Sequence, residues 1–282
     1  MKKLYFYIVA LFLLMTMTVT AQDKTLTFLY TNDTHSCIYP LNPNLADTML
    51  AGRGGFIRRI EMLKQERKKD SNLLLFDIGD FSQGSPYYTL YQGEVEMKLM
   101  NRMGYDAGTI GNHEFDFGMD NLAKVIANLR IPIICSNYDF TGTACAGMVN
   151  SYYILKRKGI KIGVLAVSPA LDGLVDAKNC KGVKYLDPIQ TANETAKMLK
   201  ENKKCDIVIC LSHLGWSEKG MGDQALIAGS RNIDLILGGH SHSFFTKLRY
   251  VKNLDGKEIP VDQNGKSGVF VGKMKLSFNK LK

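Results

Sequence analysis

Residues 106–116 read Asp106-Ala107-Gly108-Thr109-Ile110-Gly111-Asn112-His113-Glu114-Phe115-Asp116. Ala107 to Ile110 is a short run with the character of a strand. At Gly111 it breaks into a cluster of amide, imidazole and carboxylate groups. The same order, a short strand and then a polar turn, recurs along the chain. Leu26, Phe28 and Tyr30 alternate with polar neighbours over 25–31 and lead into Asp33-Thr34-His35. Leu73 to Phe76 lead into Gly79-Asp80-Phe81-Ser82-Gln83. Ile207 to Leu211 lead into Ser212-His213, and Ile233 to Leu237 into Gly238-Gly239-His240-Ser241-His242. The chain has 5 histidines, and each falls in one of these turns. Open α/β sheets place their sites at the carboxyl ends of strands. If these strands share one sheet, the polar segments converge on one edge of it.

Between the strands the period changes. Phe56, Ile57, Ile60 and Leu63 recur at helical spacing, with Arg58, Arg59, Lys64 and Lys68 expected outward on a solvated face. Residues 94–103, 119–129 and 220–230 read as helices, and 131–134 as a strand. Lys158-Gly159 turns a hairpin over 152–167. Asp187-Pro188 starts a helix that runs to about Asn202, because Pro suits the first helical position. After 244 the alternation returns, with turns at Asp255-Gly256 and Asn264-Gly265. Strands alternating with helices and then a strand-rich end predict α/β layers around mixed sheets.

Composition bounds the class. The chain has 282 residues, 45% hydrophobic and 22% charged, ordinary for a globular protein and unlike a collagen, a coiled coil or a polytopic membrane protein. A net charge of +9 favours anionic partners without choosing among them. No recognisable nucleic-acid module accompanies it. Lys2-Lys3, the uncharged run Leu4–Val19 and small residues up to Ala21 have the plan of a secretory signal peptide. Cleavage is predicted after Ala21, leaving residues 22–282 for the periplasm or the extracellular space with no membrane span; an uncleaved anchor is the alternative. The 6 cysteines therefore face an oxidising compartment. Cys135 and Cys145 bracket a loop that a disulfide between them would close, whereas Cys205 and Cys210 read as buried thiols.

Taken singly, each histidine is weak: one after a strand is more often a hydrogen-bonded structural residue. The joint pattern is not, because all five fall after strands and Asp, Asn and Gly accompany them as a set. Imidazole and carboxylate together suit Zn, Mn, Fe, Co or Ni rather than Ca. Asp33, His35, Asp80, Asn112, His213, His240 and His242 exceed what one ion takes. A carboxylate has two oxygens and can bridge two divalent ions, and ions roughly 3.5–4 Å apart can clamp a phosphoryl group.

Asp33-x-His35, Gly79-Asp80-x-x-Gln83, Gly111-Asn112-His113-Glu114, Ser212-His213 and Gly239-His240-x-His242 together resemble the signature of calcineurin-like metallophosphoesterases. The wording YTNDTHS, GNHEFD, LSHLG and GGHSH is similar to the N-terminal catalytic domain of secreted bacterial 5′-nucleotidases and UDP-sugar hydrolases. The closing QNGKSGVFVGKMKLSF also resembles that domain's last strands. The resemblance implies a layered α-β-β-α sandwich as a single catalytic domain over 22–282. It implies that Asp33, His35 and His242 hold one metal, that Asn112, His213 and His240 hold the other, and that Asp80 bridges them. A metal-bound hydroxide would attack phosphorus in line. His113 would assist the leaving oxygen and Asp116 would orient His113; the plainer reading of Asp116 is a helix N-cap.

Family 5′-nucleotidases carry a second, C-terminal domain that stacks the base, and this sequence ends where that domain should begin. No aromatic pair is assigned to base stacking from the sequence. The expected substrate is a nucleotide or related phosphate ester. A nucleotide-sugar or cyclic-nucleotide phosphodiesterase is the alternative, as is a catalytic subunit that needs a separate specificity-domain polypeptide. A non-catalytic binding subunit is disfavoured by the intact ligand set.

Overall fold

The computed structural model describes residues 24–217 and 219–278; the predicted signal segment lies outside them. The chain order is β1 (Lys24–Thr31), α1 (Phe56–Lys69), β2 (Leu74–Asp77), α2 (Pro86–Tyr91), α3 (Glu94–Met103), β3 (Ala107–Thr109) and α4 (Gly118–Asn128). Then come β4 (Ile133–Ile134), β5 (Tyr138–Asp139), β6 (Tyr152–Arg157), β7 (Ile160–Val167), β8 (Lys184–Tyr185) and α5 (Pro188–Lys197). β9 (Ile207–Ser212), α6 (Asp223–Ala228), β10 (Leu235–Gly238), β11 (Arg249–Lys252), β12 (Glu258–Asp262) and β13 (Gly272–Phe278) complete it.

Two mixed sheets carry the architecture, in the orders β13-β1-β2-β3-β4 and β11-β12-β10-β9-β7-β6. The strands that lead into the polar turns do not share one sheet: β1, β2 and β3 lie in the first, β9 and β10 in the second, as a two-sheet sandwich requires. Within each sheet these strands are parallel, so their carboxyl ends point one way. Side-chain alternation then builds the layers. Leu26, Phe28 and Tyr30 of β1 and Leu74 and Phe76 of β2 pack against Ile162, Val164, Ile209, Leu211 and Leu235 of the second sheet. The intervening residues Leu29 and Leu75 turn the other way, onto Phe56, Leu63, Met97 and Met100 of α1 and α3. Val208, Cys210 and Ile236 likewise meet Ala192, Ala196, Leu226 and Ile227 of α5 and α6. Strands covered on both faces must be apolar throughout, which is why they read as continuous runs. No helix among the described residues is long and apolar enough to cross a membrane.

Several expectations need correction. Arg59 is buried, not outward: its guanidinium lies 4.1 Å from the centroid of the Phe56 ring. It sits three residues after Phe56, on the helix face that packs inward. The strand expected over 131–134 pairs only at Ile133–Ile134, after Pro132, whose nitrogen carries no proton for a ladder bond. Cys135 and Cys145 do not pair, since all six thiols are free. Their sulfurs face different partners, Cys135 the Asn137 carboxamide at 3.5 Å and Cys145 the Met119 carbonyl at 3.8 Å. Cys205 and Cys210 are buried as expected.

Candidate metal centre

The turns after β1, β2, β3, β9 and β10 meet at the common carboxyl end of the two sheets. The backbone ties them first. Asp33 N–H donates to the Gly79 carbonyl at 3.0 Å and His35 N–H to the Asp80 carbonyl at 3.0 Å, so the first two turns run side by side. Glu114 then collects the second and third: its carboxylate accepts from the N–H groups of Asp80 and Ser82, both at 3.0 Å, and of Gly111 at 2.6 Å. The second sheet is joined by Asp33, whose two carboxylate oxygens accept the His240 N–H at 3.0 Å each.

These turns are strained. Asp33, His35, Asp80, His240 and His242 all hold positive φ, between 43° and 71°. Non-glycine residues there cost on the order of 1 kcal/mol each and persist only where the surroundings impose them. Gly111 shows how close the chains come: a Cβ there would lie 2.2 Å from Asp80 Oδ1 and 2.4 Å from His213 Nε2.

Two groups of donor atoms result. Asp33, His35 and His242 form one and Asp80, His213 and His240 the other, the atoms of each group lying within 4.8 Å of one another. In the first, His35 Nε2 is 2.8 Å from His242 Nε2, and Asp33 Oδ1 is 3.9 and 3.6 Å from those two nitrogens. In the second, His213 Nε2 is 3.1 Å from Asp80 Oδ2. His213 Nδ1 meets the Ile78 carbonyl at 2.6 Å, which fixes that nitrogen as the protonated one in a neutral ring and leaves Nε2 to act as a ligand. The groups adjoin, since His213 Nε2 also lies 3.9 Å from Asp33 Oδ1. Asn112 Oδ1 and His213 Nε2 are buried without a hydrogen-bond partner, as are several polar atoms elsewhere among the described residues. Buried polar atoms are ordinarily satisfied, so an unpartnered His213 Nε2 within the second donor group fits cation binding.

Protonation tells the same story. Burial pushes the Asp33 carboxyl up to about 7. Burial alone would also raise Asp80, but His213, His35 and His113 hold it well below the usual carboxylate range. Burial would lower His213, yet Asp80 and Asp33 push it up to about 10. His35 and His240 are driven down to about 4, chiefly by burial, and stay neutral and able to ligate.

His113 stands at the rim. Its N–H donates to Asp80 Oδ1 at 3.0 Å, and its ring Nδ1 lies 3.1 Å from Asp116 Oδ2. That carboxylate raises the His113 pKa. Asp116 is not a helix cap: Phe117 occupies the N-cap position of α4 and no side chain caps it.

Residues 26–244 match the family model described as calcineurin-like phosphoesterase. The chain belongs to that family. The calcineurin-like phosphoesterase fold also appears in solved relatives. A 5′-nucleotidase precursor from Thermus thermophilus superposes with a TM-score of 0.81 at 29% identity, over 91% of this chain and 52% of that one. The rat (Rattus norvegicus) 5′-nucleotidase is 28% identical over 96% of this chain and 50% of its own length. The trifunctional nucleotide phosphoesterase protein YfkN of Bacillus subtilis (strain 168) is 29% identical over 90% of this chain and 18% of its own length. The chain thus spans half or less of these curated relatives.

Two contributors escaped the sequence reading. Glu114 was visible as part of a motif but without a role, since nothing in its spacing says that its carboxylate ties two turns together. Helix α2 was not assigned at all, although Ser85-Pro86 is a capping signal: Ser85 Oγ accepts the Tyr87 and Tyr88 N–H groups. From that helix Tyr88 donates its hydroxyl to the His113 carbonyl at 3.0 Å.

Proposed function

We propose that this phosphoesterase hydrolyses nucleotides or closely related phosphate esters, using two divalent transition-metal ions drawn, by the donor chemistry, from Zn, Mn, Fe, Co and Ni. The observation that carries the reading is the pair of adjoining donor groups, with His213 Nε2 unpartnered in the second and His113 at their edge. Asp33, His35 and His242 would hold one ion, Asn112, His213 and His240 the other, and Asp80 both. When bound, such ions polarise a phosphoryl oxygen and lower the pKa of water toward neutrality. The chain's own residues do the rest. The backbone bonds of Asp33 and Glu114 hold the donors in place before substrate arrives. Asp116 keeps the His113 Nδ1 occupied and favours its protonated form, so that Nε2 can give a proton to the departing oxygen. The nucleotide substrate is supported by the 5′-nucleotidase and nucleotide phosphoesterase relatives.

The predicted leader supports export to the periplasm or beyond, checked by N-terminal sequencing of secreted material; a start at Met1 would refute it. The enzyme proposal is tested by phosphate release from 5′-AMP with Mn- or Zn-loaded protein, alongside metal content per chain. Two ions per chain and release abolished by Asp80→Ala are expected. One ion per chain, or full release by Asp80→Ala, would overturn the assignment.

A further inference from the structure

A cavity of about 520 Å³ opens beside the donor groups, with His35, His113 and His242 in its wall. Its outer wall carries Tyr39 and Tyr87. Their ring centroids are 5.9 Å apart and the planes tilt by 37°, so the rings already touch and nothing flat fits between them. Their open faces remain available. Tyr39 is 65% exposed, so its ring is accessible to a ligand.

The reaction decides which side of the metal centre the organic part of an ester must occupy. The proton donor has to lie next to the departing oxygen, and the proposed donor is His113. The leaving group therefore points into the cavity that has His113 in its wall, and this is the cavity with the tyrosines. The pair is also held in register with the centre. Ser36, next to His35, hydrogen-bonds Ser85 at 2.5 Å, and Ser85 Oγ caps the helix that bears Tyr87. The neighbouring Tyr88 anchors the same helix to the His113 carbonyl. On the other strand of the cavity wall, Tyr39 precedes Pro40, and Gly55 packs so closely there that a Cβ would meet Pro40 N at 2.9 Å.

We propose that Tyr39 and Tyr87 form a stacking platform that binds the planar aromatic part of the leaving group, a nucleobase in the nucleotide case. Specificity for such esters then resides partly within this domain. The inference rests on the proposed function for its placement of the leaving oxygen, but the platform can be tested without turnover. Stacking of a base on an aromatic ring is worth about 1–3 kcal/mol by alanine substitution. Tyr39→Ala and Tyr87→Ala should each lower kcat/KM for 5′-AMP by roughly 5- to 100-fold, mostly through KM. Glycerol 3-phosphate, which has no ring, should be hydrolysed within about twofold of the wild-type rate, because no stacking is lost. Tyr39→Phe, which keeps the ring, should restore 5′-AMP turnover. Equal losses on both esters, or no loss on 5′-AMP, would overturn the platform. Binding of adenosine to the unmutated protein, followed by calorimetry, separates the two claims. Adenosine binding that Tyr39→Ala weakens, in protein that releases no phosphate from any ester, upholds the platform and defeats the enzyme reading. Failure of the unmutated protein to bind adenosine defeats the platform alone.

Discussion

The space between the two sheets and the rim of turns above it are built by opposite rules. Between the sheets, Phe28, Phe76, Ile209 and Leu235 are fully buried and make only apolar contacts. At the rim, a few residues further along the same strands, Asp33, Asp80 and His213 are just as buried but ionisable, and Asn112 Oδ1 and His213 Nε2 lack partners. The strained φ values of Asp33, His35, Asp80, His240 and His242 belong to the rim as well. The core supplies the stability that holds unfavourable groups in place, and the rim spends it on a site for cations.

Breaking either region should leave a different signature. Asp80→Ala removes the carboxylate that faces both donor groups and should abolish phosphate release while circular dichroism stays native; retained turnover would dissolve the contrast. Phe28→Ala, in the core, should lower unfolding stability by about 3–5 kcal/mol. At low temperature its activity per folded molecule should remain near wild type, as denaturation curves and assays on the same sample would show. Asp116→Asn should cut kcat by roughly 10- to 100-fold, the usual cost of losing the partner that orients an imidazole. KM and metal content should not move, and a matching loss of metal would mean that Asp116 supports the ligands instead.

Smaller effects sharpen the picture. Burial alone would raise Asp234, but bonds from Lys200, the Val208 N–H and Lys257 hold its carboxyl below the usual carboxylate range. A carboxyl depressed in the folded state stabilises it above the unfolded pKa, and this contribution is lost as pH falls through the folded value. Asp234→Asn should therefore cost about 1 kcal/mol at pH 7. Melting curves of mutant and parent should converge as pH falls through the depressed range in which this carboxyl takes up its proton. The smallest effect concerns strain itself. His242 holds φ at 55°, where glycine is unstrained. His242→Gly should lose activity yet leave the melting temperature of the metal-free protein unchanged or higher. A clear fall would show that the rim is not strained at that point.

Much of the candidate site was legible because its chemistry is local. Each strand announces itself through an apolar run or alternation, and each histidine follows within a few residues of a strand end. What failed were statements about which way a side chain faces. Arg59 reads as a solvated cation by type, yet its position three residues after Phe56 puts it on the packed face of α1. Cys135 and Cys145 are close in sequence, yet their sulfurs point to different neighbours. Glu114 sits in plain view within a motif, and its bonds to three backbone amides cross two turns.

The sequence by itself determined the layers, the family and the list of candidate donor residues, since periodicity and residue type are properties of short segments. The tertiary structure decided that two sheets rather than one bring the donors together. It also decided which nitrogen of His213 is left free, and that Tyr39 and Tyr87, 48 positions apart in the chain, share one cavity wall. Those outcomes depend on contacts between distant segments, which are fixed only when the faces of both sheets close on a common core.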